Sequence, residues 1–137
     1  MARSRTARWP WRPDAGSASL EIAILGPALL LLIFTIVQAG LWFYARSLAL
    51  AAAQEGVAAA RGYHAPYNAG VGRAQAFLRR TAGDSLQGAT VSGTATGTTV
   101  RIQVRGRALS VLPGVPGLPV SQAAEGPVER FTVDGGP

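Results

Sequence analysis

The sequence predicts an α+β membrane protein: one long N-terminal transmembrane helix continues into a small extracytoplasmic domain with a short helix and a small antiparallel sheet. Three observations carry this expectation. From Ile22 to Tyr44 there are 23 consecutive residues without a charge, and only Thr35 and Gln38 among them are clearly polar. The alanine-rich stretch that follows keeps a helical composition up to Arg61. Beyond residue 98 the apolar period falls to two, the period of a half-buried strand.

Size and composition bound the rest. A chain of 137 residues holds one membrane segment and one small domain, with no room for a large catalytic domain. It has no cysteine, which removes a disulfide framework, a thiolate metal site and a lipid-modified cysteine anchor. The expected division is a basic cytoplasmic leader at 1–16, the transmembrane helix and its alanine-rich extension at 17–62, and a small extracytoplasmic α+β domain at 63–137. The net charge is +6, and all 13 basic residues are arginine. Four of them, Arg3, Arg5, Arg8 and Arg12, stand in the leader against the single acid Asp14. Membrane topology explains those four without a nucleic-acid role, because positive charge is retained on the cytoplasmic side.

In the leader, Pro10 and Pro13 rule out a regular helix. The span from Ile22 to Tyr44 is about 34 Å long as a helix, enough to cross a hydrocarbon core of about 30 Å. The charge asymmetry places the N-terminus inside, although Arg46 just past the span reduces the bias. Trp42, Phe43 and Tyr44 close the span as an aromatic belt at the outer interface. A cleaved secretory signal would have an apolar centre of about 7 to 15 residues, shorter than this one.

From Ala45 to Arg61 the helix is expected to continue, interrupted only by Gly56. The extension is either an exposed stalk or a packing surface whose small side chains admit close approach. Gly62, Pro66 and Gly70 mark its end. A shorter helix is expected over about Asn68 to Ala82, with Val71, Ala74, Phe77 and Leu78 on one face and Arg79 and Arg80 in its last turn. In Thr99 to Ala108, Val100, Ile102 and Val104 face one way, and Arg101, Gln103, Arg105 and Arg107 the other. Ala89 to Ala95 is the expected antiparallel partner through Thr96-Gly97-Thr98. Val111 to Pro127, rich in proline and glycine, reads as an ordered loop with a short pairing segment near Val120. Val128 to Val133 supplies an expected last strand.

Few residues could carry chemistry. Glu21 is a carboxylate near the start of a membrane helix, where it either complements the helix N-terminus or has a partner, since a charge in the bilayer is costly. His64 is the only histidine and has no second ligand nearby in sequence. Gly70-Val71-Gly72 lacks the rest of a dinucleotide loop, and Ser17, Ser19 and Ser121 have no recognisable base partner. No catalytic residue, metal site or cofactor is expected. Arg101, Arg105 and Arg107 form either a solvated strand face or a face for an anionic ligand.

The processing site of type IV pilins, a glycine followed at the fifth position by a glutamate and then a long apolar helix, is similar to Gly16-Ser17-Ala18-Ser19-Leu20-Glu21 and its sequel. The surrounding residues resemble the TadE-like proteins of the tight-adherence (Tad/Flp, type IVb) pilus system. The residues that carry this are 16–21, Pro27 with its leucine run, Phe43-Tyr44-Ala45-Arg46, and Gln54-Glu55-Gly56 with Arg61; Val120 to Ala124 with Glu129 adds a distal match. The resemblance implies a pilin-like helix, a non-enzymatic role in pilus assembly, and partners among membrane lipid, the helices of other pilus or Tad-machine proteins, and a prepilin peptidase. It implies Gly16, Ser17 and Glu21 as a processing site, and Glu21, Pro27, Glu55 and Gly56 as helix-assembly residues. Cleavage after Gly16 and an uncleaved anchor both remain open. A different class of function stays beside it: a secreted or tethered module that binds an anionic ligand through the arginine-rich strand.

Overall fold

The computed structural model describes residues 15–62 and 65–128, with side chains from Ala18 onward. Arg3, Arg5, Arg8 and Arg12 of the leader, His64, and residues 129–133 of the expected last strand lie outside the described residues. Helix α1 runs over Ala15–Ala60 as 46 residues, with Pro27 inside it. The chain divides into two compact units, Met1–Phe34 and Thr35–Pro137.

In the first unit, every described side chain from Ala18 to Ile33 is exposed. None of the most apolar 18-residue window of α1 is buried, and the helix is long and apolar enough to cross a membrane. Such a surface is stable in hydrocarbon or against other helices, and α1 is a single candidate span among the described residues.

The second unit contains the rest of α1 and the α+β domain. Helix α2 (Tyr67–Thr81) leads through a short 3-10 turn to strands β1 (Leu86–Ala95), β2 (Thr99–Ala108) and β3 (Pro119–Pro127). The three form one antiparallel sheet in the order β1-β2-β3. As the period-two pattern requires, Val100, Ile102 and Val104 are buried while Arg101, Arg105 and Arg107 are exposed.

The alanine-rich extension is a packing surface and not a stalk. Ala45, Leu48, Ala49, Ala52, Ala53, Val57 and Ala60 recur at steps of three and four and are all buried, in one cluster with Leu86, Val100, Ile102, Val104, Ala108, Val120, Ala74 and Leu78. Small side chains on that helix face allow close approach. α1 and α2 meet closely at Gly56 and Gly70, where a Cβ on Gly70 would lie 2.5 Å from the Gly56 carbonyl oxygen and 2.7 Å from the Ala60 Cβ.

Two strands differ from expectation. β1 begins at Leu86, three residues earlier than expected. Its register against β2 shifts between Gln87 and Thr90, where Gly88 takes a φ of 59°. That left-handed conformation is open to glycine and gives a β-bulge. The loop expected over Val111 to Pro127 is a loop only in its first part. Pro119–Pro127 is a full strand, paired with β2 from Arg107↔Pro119 to Thr99↔Pro127. Prolines stand at both ends of this edge strand and interrupt none of its interior.

Candidate functional site

The residues singled out in α1 fall into groups set by their place along it. At Gly16 and Ser17 only the helical backbone is described. Glu21 is exposed, and among the described residues it has no ion-pair partner. Pro27 supplies no N–H to the carbonyl of Ala23, so one intrahelical bond is missing inside the apolar half. Beside it Gly26 has no heavy atom of its own chain within 4 Å of where a Cβ would stand. Ile22, Leu25, Gly26, Ala28, Leu29 and Leu32 line a shallow apolar groove of about 550 Å³ there.

Glu55 and Gly56 are engaged within the chain. Arg73 Nε lies 3.2 Å from Glu55 Oε2, linking α2 to α1 across a pair of half-exposed side chains, and Gly56 is at the helix crossing described above. Arg61 lies against Gly126, where a Cβ would come within 2.9 Å of the Arg61 Cδ. Its Nε is buried and has no hydrogen-bond partner among the described residues. Leu50, Gln54, Val57, Ala58, Arg61 and the middle of β3 line an open groove of about 380 Å³.

Strand β2 brings Arg101, Arg105 and Arg107 to the exposed sheet face, each with a neighbour. Arg101 Nη1 is 3.7 Å from Glu125 Oε2, Arg105 Nη2 donates to Gln103 Oε1 at 3.2 Å, and Arg107 Nη1 donates to the Gly117 carbonyl at 3.4 Å. Such pairs are those of a solvated strand face. Among the described residues no group of three or more His, Cys, Asp or Glu is placed to hold a metal ion.

Two residues in α1 do more than their sequence positions suggested. Gln38 donates from Nε2 to the Leu109 carbonyl at 3.1 Å and accepts at Oε1 from the Val111 N–H at 3.1 Å, so one amide closes both hydrogen bonds of the chain leaving β2. Trp42, expected in an aromatic belt, is half-buried against the core and donates from Nε1 to the Pro119 carbonyl at 3.2 Å. Phe43 and Tyr44 remain exposed. The guanidinium of Arg46 stands 5.5 Å from the Trp42 ring centroid, a cation–π contact. The signal for Gln38 was its isolation as a polar residue in an apolar run.

The stretch that holds these residues is also where known proteins are similar. Residues 16–58 match the family model of TadE-like proteins. The match bears out the resemblance read from the residues. It spans nearly all of α1, from the glycine before Ser17 to within two residues of the helix end, and leaves α2 and the sheet outside it. No curated protein and no solved structure matches the chain.

Proposed function

We propose that the chain is a membrane-anchored, pseudopilin-like component of a Tad/Flp type IVb pilus or a related secretion machine, and that it assembles through α1. One observation carries the reading: the TadE-like match coincides with a helix whose first half has no cover from its own chain. The apolar side chains there require lipid or other helices, and Gly26 lets a neighbour's backbone come close. The role is structural and needs no catalytic group.

In this reading the arginine-bearing leader stays in the cytoplasm and the α+β domain stands outside. A prepilin peptidase cuts after Gly16, which makes Ser17 the new N-terminus and Glu21 the fifth residue. Glu21 then neutralises the ammonium of a neighbouring subunit, a pairing favoured where both ions are poorly hydrated and each would be costly alone. Pro27 and Gly26 shape the packing face, while Glu55 and Gly56 act indirectly by fixing the domain on the far part of α1.

Deleting the chain from its host is the direct test. Loss of surface pili by electron microscopy is expected, with recovery on return of the full chain and none with a form that starts at Thr35. Unchanged piliation contradicts the proposal. Mass spectrometry of the purified N-terminus tests processing separately, since a start at Ser17 supports it and an intact leader excludes it.

A further inference from the structure

The connection between β2 and β3 carries an apolar surface that the assembly reading does not use. From Ala108 to Ala124 the chain has no charged residue. Within that run Leu112, Val115 and Leu118 are 38%, 51% and 49% exposed, beside Pro113, Pro116 and Pro119. Proline and glycine suit a turn, but three large apolar side chains exposed together gain nothing from facing water.

The backbone is equally unusual. Two residues of the loop, Pro113 and Pro116, have no N–H to satisfy. The Val111 N–H is taken by Gln38, that of Leu112 by Ser110 Oγ at 3.2 Å, and that of Val115 by the Leu112 carbonyl at 3.2 Å. At the base, the Ala108 N–H donates to the Leu118 carbonyl at 2.9 Å. Two prolines and three paired N–H groups reduce the number of free donors in residues 111–118, which lowers the cost of entering a region poor in water.

Its position points the same way. β2 starts beside the C-terminal part of α1, since its first residues pair with the end of β3, where Gly126 lies against Val57 and Arg61. It finishes at the opposite end of the unit, where Gln38 and Trp42 clasp the connection. Ile36, Val37, Phe43 and Tyr44 are exposed on α1 at that end of the unit. The charges at the rim are positive: Arg46 against Trp42 and Arg107 against Gly117.

We propose that residues 111–118 are a second membrane contact, an interfacial loop that seats Leu112, Val115 and Leu118 at the boundary of headgroups and acyl chains. Arg46 and Arg107 lie at phosphate level. The surface is apolar at its centre and basic at its rim, the pattern of segments that lie on a bilayer. The Gln38 amide holds the loop to the helix, so the domain is clamped to the membrane at two points and cannot swing freely about α1.

The proposal rests on membrane residence through α1, and one experiment separates the two. Because the chain has no cysteine, single cysteines at Leu30, Thr96 and Val115 can each carry an environment-sensitive fluorophore. The full chain is placed in vesicles of phosphatidylcholine and phosphatidylglycerol. Emission from Val115→Cys is expected to shift to the blue, to be quenched by nitroxide-bearing lipids, and to be several-fold less sensitive to iodide than Thr96→Cys in the β1–β2 turn. Replacing Gln38 by Ala in the same protein should return much of the iodide sensitivity. If Leu30→Cys meets nitroxide and Val115→Cys behaves like Thr96→Cys, the loop lies in water and the proposal is wrong. Shielding of Val115→Cys from both quenchers would mean a protein cover and would also overturn it. A Leu30→Cys label that escapes the nitroxides sinks the membrane reading itself.

Discussion

Ile102 and its glycine neighbours show how little freedom the domain core has. Ile102 is fully buried, and Cβ atoms on Gly56, Gly70 and Gly93 would stand 3.1, 3.2 and 3.1 Å from its methyl carbons. Ile102→Ala is therefore expected to cost about 2–5 kcal/mol by leaving a cavity. Gly70 and Gly72 give a sharper contrast two positions apart on α2. Gly70→Ala drives a methyl into the backbone of α1 and should cost about 1–3 kcal/mol. Gly72→Ala meets no atom within 4 Å and should stabilise by up to about 1 kcal/mol through helix propensity. Thermal unfolding of the full chain in detergent micelles, followed by circular dichroism, reads all three. By comparison, Glu55→Gln removes only a half-exposed ion pair and should change stability by less than about 1 kcal/mol. Ile102 was legible from strand alternation, whereas the pairing of Gly56 with Gly70 was not, because nothing in sequence joins two glycines on different helices.

At the level of elements, the far half of α1 and strand β3 were the hard parts to read. Alanines occupy seven of the twelve positions from Ala49 to Ala60 and fall on both faces, so the faces look alike and only packing reveals which is core. Ala49→Leu, on the buried face, should cost about 1–3 kcal/mol. Ala58→Leu, on the exposed face, should stay within about 0.5 kcal/mol. Equal effects in the same melts would contradict the assignment of faces. β3 was hidden by composition: Ser121, Gln122, Ala123, Ala124 and Glu125 are weak strand formers, and their pairing with β2 overrides that preference. β2, α2 and the end of α1 were legible because alternation, helical spacing and glycine stops all agree there. The clasp at Gln38 tests the loop as an element. Gln38→Ala leaves the Val111 N–H and the Leu109 carbonyl without their partner, and faster hydrogen exchange at Val111 with little change at Val104 is the expected result.

For the whole molecule, the functional reading depends on α1 being both an anchor and an assembly surface. The expectation for its first half was legible, since a run of 23 uncharged residues and a glutamate at a fixed distance from a glycine need no tertiary information. The role of the second half was not, since a helix face is assigned to a domain only when the sheet that covers it is known. A helix with its apolar half bare and its alanine half packed separates the two tasks along one element: in the proposed reading the first part meets lipid and partners, while the second carries the domain. The central claim is that this helix holds the domain outside the membrane with the leader inside. Single cysteines at Thr6 and Thr96, in cells that lack the prepilin peptidase so that the leader stays attached, treated with a membrane-impermeant maleimide on sealed and on opened spheroplasts, test it most directly. Labelling of Thr96→Cys on sealed spheroplasts, with Thr6→Cys labelled only after opening, is the expected result; labelling of Thr6→Cys and protection of Thr96→Cys on sealed spheroplasts would contradict it.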